Sequence, residues 1–352
     1  MLAINKNRKS GVELLKIFTC FFIVLFHCNM TFIDVFKNNL KISYCDNMIS
    51  TFINLLGNLF NTIFIICSSW FLVKSHDKKN KKIVNIVIST FIISLLIMLI
   101  YVFVIGTKLS VSEFISCLLP ISKGNNWFVT MYILLSIFSY YINKLLDCIN
   151  EKDHLDLCLI IFLLYYVINF LNIGEYYLND FVASINIYII VSYFQKYKID
   201  ICQNVKLNIF IFLLSTISFV IVAYLNNVIM NFRVTSICNP FSFLIAFSLF
   251  NIFNSIDFYN NIVNGISSLT LYIYLTHENI LFRTYTRPIL IANMYKKLGT
   301  NCAIIKLFFF SFVIFILSVI ISYLYKIFFD NFVKKQISKM YDIFKINCKE
   351  NR

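Results

Sequence analysis

Glycine and proline are scarce in this chain of 352 residues, at seven and three. That excludes a Gly- or Pro-rich linker and leaves no composition break at which a second domain would begin. Charge is scarce too. Asp, Glu, Lys and Arg together are 14% of the residues against 59% hydrophobic, too little polar surface to cover a soluble core of this length. The sequence therefore reads as an integral membrane protein. Its eleven cysteines contain no C-x-x-C pair, and its four histidines form no cluster at metal-ligand spacing. Neither a disulfide framework nor a metal site is expected, and the cysteines read as small apolar filler.

What the chain has in quantity is apolar helix. A span needs roughly 20 apolar residues to cross the hydrocarbon core. About ten runs of that kind are present, at 13–33, 49–73, 83–105, 127–146, 155–172, 181–197, 207–225, 237–254, 262–282 and 302–329. They lack strand-like alternation, so an outer-membrane barrel is not expected. The fold class is an all-α, polytopic helical bundle in a lipid bilayer, with one transmembrane domain over 8–330 and a basic tail over 331–352. The first run follows a basic start but has no small-residue cleavage site, so it is kept as a helix.

Ten spans place both termini on one side, and loop charge chooses the side. Lys6, Arg8 and Lys9, the loop with Lys74, Lys78, Lys79, Lys81 and Lys82, the loop with Lys196, Lys198 and Lys206, and the tail lysines all fall on one face. Both termini are therefore expected in the cytoplasm. The exception is Arg283, Arg287, Lys296 and Lys297, which follow the ninth span on the opposite face. Nucleic-acid binding is not expected, because positive charge spread over the loops of a membrane protein has a topological cause.

The first span keeps three ionisable groups, Glu13, Lys16 and His27, within "GVELLKIFTCFFIVLFHCN". Glu13 and Lys16 are three residues apart, and eleven residues from Lys16 to His27 return to within about 20° of the same helix face. A charged group facing lipid at mid-membrane costs roughly 2.5–3.5 kcal/mol, so this stripe is expected to face the bundle interior or a wet cavity. His27 lies about 20 Å along its helix from Leu14, and His277, in "SSLTLYIYLTHENILFR", about 16 Å along the ninth span from Ile266. Two histidines thus reach similar depth from independent helices. The plain alternative for each is a neutral, hydrogen-bonded bundle residue. His76 and His154 fall in charged loops and are expected to be solvated.

"RKSGVELLKIFTCFFIVLFH" resembles the opening of the membrane acyltransferase family 3, whose first span carries an acidic residue, an Arg three residues on, and a His further along; here these are Glu13, Lys16 and His27. "FIICSSWFL" (64–72) is similar to the family's Ser-Gly segment, "NNWFVTMYILL" (125–135) to its Trp-Phe span, and "LYIYLTHENILFR" (271–283) to its Tyr-Leu-x-His segment. Lys16 stands where Arg is usual, and Ser69 replaces the Gly of the Ser-Gly pair. Lysine keeps the charge but not the planar two-pronged donor.

The resemblance implies transfer of an acyl group, usually acetyl from acetyl-CoA, to a hydroxyl of a surface or lipid-linked carbohydrate at a bacterial plasma membrane. His27 would act as base or carry the acyl group, with His277 beside it. Lys16, Lys74 and Lys78 would contact the donor's phosphates, although ordinary inside-positive topology accounts for the lysine loop equally. Glu13 is expected to pair with Lys16. Trp127 is expected either to anchor at the membrane boundary or to line the site. Tyr274 and Glu278 are expected to orient His277 or bind the acceptor, with Glu278–Arg283 as a plain structural pair the alternative. A transporter, flippase or polysaccharide polymerase of surface-glycan assembly is the competing class. For a flippase or polymerase, a long outward loop is expected, and the stretches near 106–126 and 283–301 are short.

Overall fold

Apolar runs have no water at hand to satisfy their backbone amides inside a bilayer, so they close those hydrogen bonds internally as helices. The computed structural model describes residues 9–36, 43–73, 80–122, 125–173, 180–228 and 232–350. Among them there is no strand. The first half holds α1 (Ser10–Phe36), α2 (Tyr44–Leu55), α3 (Gly57–Val73), α4 (Asn80–Leu99), α5 (Val111–Leu118), α6 (Trp127–Asp147) and α7 (Glu151–Ile161). The second half holds α8 (Asp180–Tyr197), α9 (Ile199–Gln203), α10 (Val205–Val228), α11 (Pro240–Ser255), α12 (Asn261–Ser267), α13 (Thr270–His277), α14 (Arg287–Leu298), α15 (Ala303–Tyr325) and α16 (Asn331–Glu350). Four π-helical turns, π1 (Ile100–Val104), π2 (Phe162–Ile168), π3 (Phe282–Thr286) and π4 (Lys326–Asp330), widen the chain at the ends of helices.

Six helical stretches among the described residues are long and apolar enough to cross a membrane: Ser10–Val35, Tyr44–Val73, Asn80–Val104, Trp127–Asp147, Val205–Asn226 and Ala303–Tyr341. The other four expected spans are helices as well, but shorter or more polar. One of them, 262–282, is not continuous: it breaks between α12 and α13 at Ser268 and Leu269. The expected loop at 283–301 is in fact π3 and α14, and 106–126 contains α5.

Helix faces follow side-chain size. On α15, Ser311, Ser318 and Ser322 are buried against neighbours, while Phe309, Val313 and Ile320 point outward. Small residues let helix backbones approach, and an exposed apolar belt of this kind needs lipid to cover it. Polar side chains tie helices together within the bundle. Tyr188 donates to Asn143 Oδ1 at 2.5 Å, and Asn29 and Ser50 bond one another reciprocally at 2.9 and 2.8 Å. Asp46 accepts from the backbone amides of Ala303 and Ile304, each at 3.2 Å, and so supplies the N-terminus of α15 with a carboxylate from α2.

His154 is fully buried, which corrects the expectation of a solvated loop residue. Its Nε2 lies 3.1 Å from the Ile189 carbonyl oxygen, and its ring packs edge-on between Tyr193 and Tyr197. The charged neighbours Glu151, Lys152 and Asp153 lie on the exposed side of α7, so local polarity concealed a helix face turned toward α8. His76 lies outside the described residues.

Candidate active site

Helix α1 and the broken pair α12–α13 run side by side in the same direction, and two contacts fix the register. Near one end the Ser267 hydroxyl donates to Glu13 Oε2. Further along, His27 Nδ1 meets His277 Nε2 at 3.1 Å. The two histidines at matching depth are therefore direct neighbours, with His277 buried and the His27 side chain 16% exposed.

The third member of the cluster is Glu278, which terminates α13. Its Oε2 lies 3.2 Å from His27 Nδ1 and 2.9 Å from Arg287 Nη1, and its Oε1 accepts from Arg283 Nη1 at 3.0 Å. Arg287 is 3% exposed. Arg283 and Arg287 are four residues apart in the helical stretch made by π3 and the start of α14, a spacing that puts both on one face, toward Glu278. Two guanidinium groups thus compensate a buried carboxylate that would otherwise be unaffordable at this depth.

Hydrogen-bond chemistry fixes the protons. His277 Nδ1 lies 2.7 Å from the Ile273 carbonyl oxygen, which only accepts, so Nδ1 carries the proton and Nε2 is left as an acceptor. Facing that acceptor and the Glu278 carboxylate, His27 Nδ1 must be the donor. The lone pair of a neutral His27 is then on Nε2, the tautomer a general base requires.

His27, His277 and Glu278 also present one ligand atom each within 4.8 Å of one another, the donor set of a metal centre. Both oxygens of Glu278 are already held by arginines. A divalent cation would meet two positive groups against one carboxylate, so the cluster fits a hydrogen-bonded relay better than a metal site.

A cavity of about 420 Å³ leads to this cluster, within the ordinary size range of small-molecule sites. Lys16, Lys82 and Lys334 line it together with Ser267, Tyr274 and His277. The lysine end adjoins a second space of about 290 Å³, walled by Lys81, Lys82, Lys334 and Ser338. Lys82 donates to the Tyr132 hydroxyl at 2.9 Å, and Lys334 to Asp330 at 2.6 Å. Asp330 is itself buried and also accepts from Tyr272 at 2.7 Å and from Asn85 at 3.3 Å, which ties α16 to α4 and α13 at the mouth.

Lys16 pairs with Glu13 at 3.2 Å and lies over the Phe71 ring while still lining the cavity. Tyr274 is on the cavity wall beside His277. Glu278 contacts His27, Arg283 and Arg287. Trp127 stands apart: its ring packs edge-on against Phe128, and Phe128, not Trp127, lines the cavity. Lys74 and Lys78 lie outside the described residues. Arg287, Asp330 and Lys334 are not marked as site residues by any sequence pattern: Arg287 shows only as a cation on the face expected to be poor in them, and Lys334 only as one more tail lysine.

The fold and this site define a polytopic helical membrane protein with a hydrogen-bonded His–His–Glu cluster, one member of which, His277, lines a cavity that also holds three lysines. A family model described as an acyltransferase domain matches residues 9–326, and the chain belongs to that family, acyltransferase family 3. No curated protein and no solved structure matches the chain significantly. Membership makes the protein an acyltransferase and sets aside the transporter, flippase and polymerase class.

Proposed function

We propose that the protein is a membrane O-acyltransferase that moves an acyl group, acetyl in the simplest case, from acyl-CoA to a hydroxyl of a surface or lipid-linked carbohydrate. The observation that carries this reading is the cavity, with three lysines around one end and His277, bonded to His27, at the other. Lysines suit the phosphates of CoA, and the ten residues of mostly helical chain from Ser267 to His277, about 15 Å, suit an extended thioester arm. His27 does not line this cavity and remains partly exposed. The acceptor therefore approaches His27 from outside the donor cavity. His27 Nε2 takes the proton of the attacking hydroxyl, and the Glu278 carboxylate stabilises the positive imidazole that results.

The test uses purified protein in lipid nanodiscs with acetyl-CoA and glycan extracted from the surface of the cells that make the protein. Release of the CoA thiol that depends on the glycan is expected; no release above the protein-free rate overturns the reading. In the same assay Lys82→Ala with Lys334→Ala should raise the KM for acetyl-CoA roughly tenfold, the loss of charge-assisted bonds worth about 1.5 kcal/mol, with little change in kcat. Acetyl-pantetheine, which lacks the nucleotide phosphates, should not distinguish the variant from the parent. An equal loss with both donors would remove the lysines from phosphate binding.

The lysine end of the bundle is assigned to the cytoplasm of a bacterial plasma membrane, with both termini on that side. Reporter fusions at the C-terminal tail should signal from inside. A signal from outside would reverse the orientation and place the donor cavity on the wrong side for acyl-CoA.

A further inference from the structure

We propose that the Tyr274 hydroxyl, at the N-terminus of α6, is the oxyanion donor for the thioester carbonyl, an inference that rests on the acyl-transfer reading above. Tyr274 is 9% exposed, lines the donor cavity, and its hydroxyl has no hydrogen-bond partner among the described residues. Four buried tyrosine hydroxyls lack a partner among the described residues, those of Tyr165, Tyr166, Tyr274 and Tyr325, and of these Tyr274 is the one on the cavity wall. Its oxygen lies beside the backbone amide of Phe128 without closing a well-formed bond.

The position is distinctive for a second reason. Part of the chain before α6 is tucked into the bundle, with Ser116, Cys117 and Asn126 buried: Ser94, about midway along the Asn80–Val104 span, donates to the Cys117 carbonyl at 2.8 Å, and Thr130 bonds back to Ile121 at 3.2 Å. Helix α6 therefore starts inside the bundle, and its positive end meets the same cavity through Phe128 and Val129. Its cap residue Asn126 makes no side-chain bond to the first turn. The Tyr274 ring lies 5.9 Å from the His277 ring and 5.8 Å from the Phe128 ring, centroid to centroid, which fixes the hydroxyl between the relay and the helix end.

The step balances as follows. The acceptor oxygen forms a bond to the thioester carbonyl carbon, its proton passes to His27 Nε2, and the carbonyl π pair moves onto oxygen. Tyr274 donates to that oxygen as it becomes negative, in the field of the α6 N-terminus. The pair then returns, the C–S bond breaks, and the CoA sulfur leaves with the proton from His27. The ester is released and the enzyme is unchanged.

Tyr274→Phe keeps the ring and removes only the donor. In the nanodisc assay it should lower kcat about 10²- to 10³-fold while the KM for acetyl-CoA stays within about twofold. The carbonyl stretch of bound [1-13C]acetyl-CoA should rise in frequency in Tyr274→Phe. 3,5-Difluorotyrosine at 274, a stronger donor, should lower that frequency and retain turnover, which a merely structural role would not produce. A kcat for Tyr274→Phe within threefold of the parent, or an unmoved carbonyl stretch, overturns the inference while leaving acyl transfer intact. A parent protein that turns over no acetyl-CoA removes the acyl-transfer reading and this inference with it.

Discussion

Replacing His27 with glutamine should reduce acyl transfer by about 10²- to 10⁴-fold, the range for a positioned general base, and by more if the imidazole carries the acyl group itself. Glutamine places its amide where Nε2 was, whereas the nitrogen of asparagine matches Nδ1 and its contacts with His277 and Glu278, so His27→Asn is the companion variant that keeps those contacts. What is lost is the basic lone pair on Nε2. Protein abundance should therefore be close to normal, and the binding of acetyl-CoA, whose cavity is lined by His277 and not by His27, should change little. His277→Ala acts differently. It removes the acceptor that orients His27 and leaves the Ile273 carbonyl with one partner fewer, so a measurable remainder of activity is expected. If His27→Gln retains near-parent turnover, His277 becomes the candidate base.

Replacing Arg287 with methionine should produce the largest loss of stability of any single change in the site. Arg287 is 3% exposed and bonds Glu278 Oε2 at 2.9 Å. Removing one partner of a buried ion pair costs about 3–5 kcal/mol, because the remaining charge stays in a medium that cannot solvate it. Arg283, whose side chain is 40% exposed, shares the same carboxylate and supplies only a screened remainder. The expected result is a sharp fall in folded protein in the membrane and in thermal stability in detergent. Arg287→Met combined with Glu278→Leu should recover much of the abundance but not the activity, since the imidazole of His27 then has no carboxylate. A single variant as stable as the parent would show that Glu278 does not need Arg287.

The all-α membrane class was legible because apolar runs of membrane length have few other uses, though of the ten runs only six are helices long and apolar enough to cross a membrane among the described residues. The pairing of His27 with His277 was legible as equal depth on two helices. It needed only the assumption that the helices run the same way, which the Ser267–Glu13 contact bears out. The arginines were visible as an exception to the charge pattern. Their purpose was not, because the stretch "LFRTYTRPIL" reads as a loop after the ninth span, and only its helical winding puts Arg283 and Arg287 on one face toward Glu278. The mouth was the least legible part. Lys334 and Asp330 form their pair on the boundary between π4 and α16, where sequence pattern shows only a basic tail, and their role comes from α16 packing on α4. His154 misled for the opposite reason. Charged neighbours on one face of a helix say nothing of the residue on the other.

The central claim is that the protein acylates a cell-surface glycan with the His27 imidazole as the base. It is tested most directly by mass spectrometry of surface glycan from three matched cell populations, carrying the parent gene, His27→Gln at equal protein abundance, or no gene. The account predicts an added acyl mass on the glycan repeat in the parent only, with His27→Gln indistinguishable from the deletion. Identical glycan in all three populations, or an acyl mass that survives in His27→Gln, would contradict it.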